Sequence, residues 1–496
     1  MKSQFKRSIL CFCLILVSSC AMPGQNLTYD FQPVRNLKPS DQMIEEYMRR
    51  YSDWGHSTAI EDAKVRTTFK KFITQKTEFL NALDSMDMLI YGDSMTDLVE
   101  RIKDIIVAGN EKLNNIEIKI FIYRSNEANA FSLGEGLILV STGLLARMPD
   151  VSQVAFVLSH EIAHDAMNHV FLNLLHISES LHEGEMKRTF QKASRKKEGR
   201  NTEINNVLNN FMAVQMAYSQ RNEFEADSLG LVYFQHAGFT SDGAIGALGV
   251  LDSADYLMFE DTLDLRHYFS FDGYPFKSYW LDTENAALQW ARDTALFVIP
   301  DSLKSHPDCD VRIQRISDLS VIDSGQTIDV AEEAKVMEML KDVFQFESLE
   351  GQLMSKDYVM ALYLSLQLQT YYPDNIYLKS VTAHALIELA AAFSRNEFLE
   401  YVEFADMNYP AGYNQMLTFL HNMNSSTLYK LASYCLQDKL GSVTGHSYIG
   451  FLNTLNEHKD VITPEVVNLY AQQYKDDYFT GLLRDKAKSP LPASRK

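Results

Sequence analysis

The chain has 496 residues, of which 46% are hydrophobic and 22% are charged, which is the composition of a folded protein with room for two or three domains. Its formal net charge of −19 argues against a nucleic-acid-binding protein, because such proteins need basic surfaces that neutralise phosphates. Nucleic acid is therefore not an expected partner.

Residues 1–20 predict a lipoprotein signal peptide. Basic residues precede an apolar run that is too short to span a bilayer permanently, and the run ends in Val17-Ser18-Ser19-Cys20. This ending resembles a bacterial lipobox, in which the cysteine becomes the lipidated N-terminus, whereas the alternative is an ordinary signal peptide that is cleaved nearby. We expect lipidation at Cys20, a linker over residues 21–40, and no later helix that crosses a membrane.

Helical periodicity dominates residues 41–110, and two strands are predicted after it. Ile116–Tyr123 alternates charged and apolar residues, as a half-buried strand does. Leu137–Val140 predicts a second strand, which follows a tight turn made possible by Gly134 and Gly136.

Residues 150–170 predict a helix with two histidines on one face. Asp150 can cap its start, and apolar residues recur behind it at helical spacing. His160 and His164 are four residues apart, so both imidazoles point the same way and can bind one Zn²⁺ at about 2.1 Å. Glu161 can then take a proton from water that the metal activates. The alternative is an amphipathic helix that carries two histidines by chance.

A second acidic motif, Arg221–Asp227, supplies the carboxylates that such a site needs. Glu223 and Asp227 are four residues apart and face one way on a helix, whereas Glu225 points away. Glu223 can complete a His₂Glu zinc site with an open fourth position, and Asp227 can accept the second ring N–H of a ligating imidazole. The alternative is an acidic, solvent-exposed helix face. Because both motifs occur in one chain, we expect one Zn²⁺ per chain as the cofactor.

With these motifs in place, the sequence resembles peptidase family M48, a group of gluzincin metallopeptidases. The motifs occur in one order between about residues 93 and 316. They are the stretch from Asn129 to Leu145, HEIAH at residues 160–164 followed by His169, ExEAD at residues 223–227, and Ser305-His306-Pro307 with Arg312.

The resemblance implies a role for each of these residues. His160, His164 and Glu223 would be the zinc ligands, Glu161 the general base, and Asp227 and Arg312 supporting residues. His169 would lie nearly opposite His160 on one continuous helix, so we expect a buried hydrogen-bonding role rather than metal ligation. His306 would lie near the metal, where it either stabilises the oxyanion or caps the zinc in a resting state.

The hairpin before the histidine helix is a candidate substrate-binding element. An edge strand beside a metal cleft can hold an extended peptide by main-chain hydrogen bonds. We therefore regard Asn129, Ala130 and Phe131 as candidate substrate-binding residues. The alternative is a purely structural hairpin.

Two further regions depart from a minimal peptidase. Residues 252–303 are rich in aromatic side chains and predict either a lid over the cleft or core packing. Residues 329–490 predict helices, and Pro373 and Pro410 lie 37 residues apart, close to the period of about 34 for tetratricopeptide repeats. We expect a mostly α (α+β) fold. Residues 41–328 would form the metallopeptidase domain, with a small β-sheet beside the HExxH helix, and residues 329–490 a TPR-like helical domain.

These observations favour a zinc-dependent endopeptidase that cleaves unfolded or misassembled cell-envelope proteins. The resemblance is to a periplasmic lipoprotein branch, which implies an extracytoplasmic chain anchored to the membrane by lipid, on the periplasmic face of the outer membrane in a Gram-negative cell. The alternative is an envelope chaperone or assembly factor that binds clients through its helical region and cleaves little. A third reading is a metal-bearing scaffold without turnover. Envelope assembly machinery is a further expected partner of the helical region.

Overall fold

The structure is a computed structural model that describes residues 27–35, 40–55, 60–180, 220–253, 263–283, 309–319, 328–406, 409–459 and 461–488. It is mostly helical with one small mixed sheet, which confirms the expected fold class. The predicted signal peptide, with Cys20, lies outside the described residues.

The first part of the chain combines helices with the sheet. Its helices are α1 (Ser40–Gly55), α2 (Ala63–Ser85), α3 (Ser94–Ala108), α4 (Thr142–Arg147), α5 (Val151–Ala166), α6 (His169–Ser180), α7 (Gln220–His236), α8 (Ser241–Ser253), α9 (Leu265–Tyr268) and α10 (Cys309–Leu319). Short 3₁₀ turns lie at Glu111–Leu113 and Ser278–Leu281. Asp62 and Asp93 cap α2 and α3 by accepting main-chain N–H groups of the first turn.

The sheet has four strands: β1 (Leu89–Ile90), β2 (Lys119–Tyr123), β3 (Ala130–Gly134) and β4 (Leu137–Ser141). Their order is β1-β2-β4-β3, so β3 is an edge strand. β2 runs parallel to β4, and β3 and β4 form an antiparallel hairpin in which Phe131 lies opposite Leu139. The strand predicted from residue 116 begins at Lys119.

The predicted helix over residues 150–170 is in fact two helices. Asp150 caps α5 by accepting the N–H groups of Ser152 and Gln153, as expected, but α5 ends at Ala166. Asn168 has a φ of 56°, a left-handed conformation that asparagine tolerates better than most residues. His169 therefore begins α6, and its predicted position opposite His160 on a continuous helix is wrong.

Among the described residues after residue 328, the regular structure consists of helices alone. They are α11 (Ala331–Met354), α12 (Tyr358–Tyr371), α13 (Ile376–Ser394), α14 (Phe398–Tyr401), α15 (Ala411–His421), α16 (Ser425–Tyr434), α17 (Ser447–His458), α18 (Pro464–Tyr474) and α19 (Tyr478–Lys488), with a π turn at Cys435–Lys439. Contrary to the expectation that no later helix could cross a membrane, α13 is long and apolar enough by length and composition. However, 83% of its most apolar window is buried inside the protein, which is the property of a core helix.

This helical region shares one hydrophobic core with the part that precedes it. On α11, Glu347 pairs with Arg124, which follows β2; the Nε–Oε2 distance is 2.7 Å and both side chains are fully buried. The neighbouring Ser348 hydroxyl donates to Thr142 Oγ1 at 2.9 Å. The domain boundary near residue 328 and the TPR-like character of the helices stay predictions.

The described part of the aromatic segment, residues 263–283, packs against the helical region. Phe269 stacks on Phe419, and Phe271 stacks on Tyr434, each with ring centroids 5.0 Å apart. Trp280 is fully buried. In this part most aromatic side chains belong to the core, although Tyr279 is exposed, and the rest of the segment predicted as a lid or core lies outside the described residues.

Candidate metal centre

Two helices that cross at a glycine build the site. α5 carries His160 and His164, and α7 carries Glu223 and Asp227. Gly230 on α7 lies directly against α5, where an added Cβ would be 2.9 Å from the His160 Cα. This close approach brings the acidic face of α7 onto the two imidazoles.

The side chains of His160, His164 and Glu223 converge on one point. The two Nε2 atoms are 3.0 Å apart, and the Glu223 oxygens lie 3.5 Å from His160 Nε2 and 3.4 Å from His164 Nε2. Ligand atoms that share one tetrahedral Zn²⁺ at about 2.0–2.1 Å are separated by roughly 3.4 Å. Both the spacing and the His₂Glu donor set therefore fit zinc. Among the described residues, this is the one group found whose ligand atoms could hold a metal ion.

The carboxylates around His160 make its position attractive to a cation. Asp227 Oδ1 lies 3.0 Å from His160 Nδ1, on the side of the ring away from the ligand atoms. Burial acts against a charged imidazolium, but Asp227 and Glu223 raise the pKa of His160 to about 10. The same negative field that favours a proton here favours a metal ion.

Arg312 holds Asp227 from the other side. Its Nε and Nη2 atoms donate to the two carboxylate oxygens at 2.8 and 2.7 Å, and both side chains are almost fully buried. Burial by itself raises the pKa of Asp227, but the charge and hydrogen bonds of Arg312 hold this pKa well below its usual range. Asp227 therefore stays ionised and accepts from His160.

His164 has a corresponding partner in His169. The break between α5 and α6 places the His169 Nδ1 atom 3.0 Å from the His164 Nδ1 atom. The far nitrogen of His169, Nε2, lies 3.5 Å from Glu225 Oε2, and Arg221 donates to the same carboxylate. Such a chain fixes the tautomer of the ligating imidazole. Glu225 points away from the ligand atoms, as expected, yet its contact with His169 was not foreseen.

Glu161 faces the edge strand. Its Oε2 atom accepts the main-chain N–H of Ser132 on β3 at 2.8 Å, and the side chain is buried. No sequence pattern predicts this contact, because a main-chain N–H does not depend on the identity of its residue.

The three candidate substrate-binding residues lie at the start of β3. Asn129 binds the end of β4, since its carbonyl accepts the Ser141 N–H at 2.9 Å. Hydrogen bonding alternates along an antiparallel pair, so Phe131 also faces β4, and the main-chain groups of Ala130 and Ser132 face the opposite edge. The Phe131 ring packs near Tyr123, with centroids 5.8 Å apart. Of the predicted set, Ala130 is thus the residue whose main chain faces outward, together with Ser132.

His306 lies outside the described residues, so its two predicted roles stay predictions. Arg312, six residues later, belongs to α10 and reaches the site through Asp227.

Comparison with known proteins agrees with this geometry. Residues 94–320 match the sequence model of Peptidase family M48, which confirms the resemblance seen in the motifs. The chain is 36% identical over 86 residues to Metalloendopeptidase OMA1, mitochondrial, from Bos taurus, covering 17% of this chain and 16% of that protein. It is 24% identical over 164 residues to Metalloprotease YcaL from Escherichia coli, covering 32% of this chain and 59% of that protein. Each match therefore spans less than two thirds of the relative's length.

Proposed function

We propose that this chain, whose residues 94–320 match Peptidase family M48, is a zinc-dependent endopeptidase. The observation that carries the proposal is the convergence of the His160, His164 and Glu223 ligand atoms within 4.8 Å of one another. Three protein ligands leave a fourth zinc position for water or substrate, which is the arrangement of catalytic rather than structural zinc sites.

The side chains around the site have separate tasks in peptide hydrolysis. When bound, Zn²⁺ polarises a carbonyl and makes water more acidic. Glu161 takes the proton of the attacking water and delivers it to the leaving amine. The Ser132 N–H orients the Glu161 carboxylate, while Asp227 and His169 hold the two imidazoles in place.

The edge strand supports a preference for extended substrates. The Ser132 N–H is taken by Glu161, but the main-chain groups of Ala130 also face away from β4, so a peptide laid along the start of β3 can pair with them independently of its sequence. Folded proteins rarely expose an extended segment whose main-chain groups are unpaired. We therefore propose unfolded or misassembled proteins as substrates, and cell-envelope proteins in particular, because the sequence predicts a lipid anchor at Cys20 and an extracytoplasmic location.

A second candidate function is an envelope chaperone or assembly factor. A cavity of about 640 Å³ lies away from the metal centre, between the segment at residues 27–35 and the helical region. Its lining includes Arg35, Tyr377, His384, Glu388 and Tyr448. A cavity with both aromatic and charged walls favours binding of a client or of envelope assembly machinery by the helical region without cleavage.

The Glu161→Gln variant tests the proposal. We expect it to retain zinc but to lose cleavage of casein or another unfolded protein, because an amide cannot accept the proton. Glu179→Gln, the same change at an exposed position of α6, is the matched control and should cleave normally. Wild-type cleavage by Glu161→Gln would refute the assignment of the base. If this variant is inactive yet restores an assembly defect in cells, the chaperone function is favoured.

A further inference from the structure

The hairpin that contacts Glu161 contains an irregularity. The register of β3 against β4 shifts between Ser132 and Gly134, which makes Leu133 the extra residue of a bulge. The turn that follows has three consecutive residues with positive φ: Gly134 at 84°, Glu135 at 55° and Gly136 at 75°. A carbonyl at a bulge falls outside the ladder, so when it is buried it needs another donor.

Lys76 supplies that donor. Its Nζ atom donates to the Leu133 carbonyl at 2.6 Å, and the residue is 1% exposed. Lys76 lies on the buried face of α2, among apolar residues such as Phe72 and Phe79. A buried ammonium is costly, and a neutral donor would satisfy a carbonyl at lower cost. Packing of the core therefore does not by itself explain why a lysine occupies this position.

Besides the Leu133 carbonyl, the Asp165 carboxylate and the Tyr51 ring lie near the Lys76 ammonium. Burial lowers the pKa of Lys76 to about 7, and the Asp165 carboxylate acts in the opposite direction. Asp165 lies on α5 and accepts the Gly136 N–H at 3.0 Å. The Tyr51 ring centroid is 5.8 Å from Nζ, and the Tyr51 hydroxyl is 3.4 Å from the Gly134 carbonyl oxygen.

The hairpin is thus held between two helices. From α5, Glu161 and Asp165, four residues apart on one face, accept the N–H groups of Ser132 and Gly136. From α2, Lys76 donates to Leu133, the residue next to Ser132. A shift of the bulge would move the Ser132 N–H relative to the Glu161 carboxylate.

We propose that Lys76 is a positioning residue, which holds the Leu133 carbonyl and thereby keeps the Ser132 N–H against the Glu161 carboxylate. The kinetic part of this inference rests on the proposed peptidase function. The part that concerns the position of the hairpin rests on the hydrogen bonds alone.

The test compares Lys76→Met with Lys71→Met in the full chain. Both changes remove a lysine from α2, but Lys71 is exposed. In Lys76→Met we expect amide hydrogen exchange in the peptide over residues 130–136 to rise roughly tenfold. We also expect kcat on an unfolded substrate to fall about tenfold with a smaller change in KM, because the base is misoriented while Ala130, which precedes the bulge, stays paired to substrate. Zinc content should be unchanged, and Lys71→Met should match the wild type in every measurement.

Other outcomes would overturn either the inference about Lys76 or the proposed function. Unchanged exchange at residues 130–136, or unchanged kcat in an active enzyme, would overturn the inference. So would a joint loss of zinc and activity, which indicates a general structural role. If the wild type shows no peptidase activity, the proposed function fails, while the exchange measurement still decides whether Lys76 holds the hairpin. If Lys76→Met does not fold, Lys76→Leu, which also lacks a donor, replaces it; wild-type exchange and kcat in that variant would also overturn the inference.

Discussion

Asp227 contacts both His160 and Arg312, so its effect on zinc affinity can be separated from its effect on the free energy of unfolding. The perturbations are Asp227→Ala, Arg312→Met and the double variant. Asp227→Ala removes the acceptor for His160 Nδ1 and leaves the Arg312 guanidinium buried, with its Nη1 atom 3.9 Å from Glu223. Arg312→Met by itself leaves the contact between Asp227 and His160 in place.

The structure sets the size of each effect. Two unit charges about 4 Å apart attract by about 4 kcal/mol at an effective dielectric constant of about 20. Removing one partner of a buried pair accordingly costs about 3–5 kcal/mol, whereas replacing both partners by apolar groups is close to neutral. We expect Asp227→Ala to lower the free energy of unfolding of the metal-free protein by about 3–5 kcal/mol, and the double variant to recover most of this loss.

Zinc affinity should follow a different pattern. An orienting partner of a metal-bound histidine is worth about 10–100-fold in metal affinity, so Asp227→Ala and the double variant should both lose this factor. Arg312→Met should keep most of the affinity, because His160 keeps its acceptor.

Two measurements on the same variants test this reasoning. Denaturant unfolding with a chelator present gives the stability of the metal-free protein, and competition with a chromophoric chelator gives the zinc affinity. Arg315→Met, an exposed position on the same helix, is the matched control. A double variant as unstable as Asp227→Ala would show that the unpaired guanidinium is not the cause. Wild-type zinc affinity in Asp227→Ala would refute the orienting role of Asp227.

Three further predictions concern metal content, pH dependence and the buried ion pair outside the site. Elemental analysis should find about one zinc per wild-type chain and none in the His164→Ala, Glu223→Ala double variant, because one imidazole cannot hold the ion. The folded-state pKa of Lys76 is about 7, below its ordinary value of 10.5, so the unfolded state binds more protons between these values. The free energy of unfolding should therefore rise with pH in this window, by up to about 1.4 kcal/mol per pH unit. Urea unfolding at several pH values should show this slope in the wild type and lose it in Lys76→Met. Arg124→Met should lower the free energy of unfolding by about 3–5 kcal/mol, measured in the same way, because Glu347 loses its ion-pair partner in a fully buried position.

Spacing along helices was sufficient to predict the candidate ligand set. Residues four apart share a helix face, so the pairs His160/His164 and Glu223/Asp227 each point in one direction whatever surrounds them. The contact of Asp227 with an imidazole follows from the same argument once α5 and α7 pack together. The bond from Arg312 could not be obtained in this way, because periodicity carries no information on how α10 packs against α7; the family resemblance supplied it.

The misplaced His169 shows where periodicity fails. One apolar stripe continues from α5 into α6, so the pattern gave no break, although Met167-Asn168 contains a residue that can end a helix. For Lys76, by contrast, periodicity predicts the correct position. Helical spacing from Phe69, Phe72 and Ile73 places it on the buried face of α2. A basic residue at a stripe position was thus a usable signal. The apolar character of α13 was also underestimated from the sequence. A helix that is buried on all sides has no polar face, so its sequence lacks the amphipathic pattern of a surface helix.

The ion pair between Arg124 and Glu347 also bears on how such a chain can evolve. Arg124 follows β2 in the region that matches Peptidase family M48, and Glu347 belongs to the first long helix after that region. Recombination that joined this matching region to an unrelated helical partner would leave one charge buried without its counterion, at a cost of about 3–5 kcal/mol, a large fraction of the total stability of about 5–15 kcal/mol that is typical of a domain. The two regions should therefore be inherited as one unit, and a substitution at either position should persist only when the other changes with it.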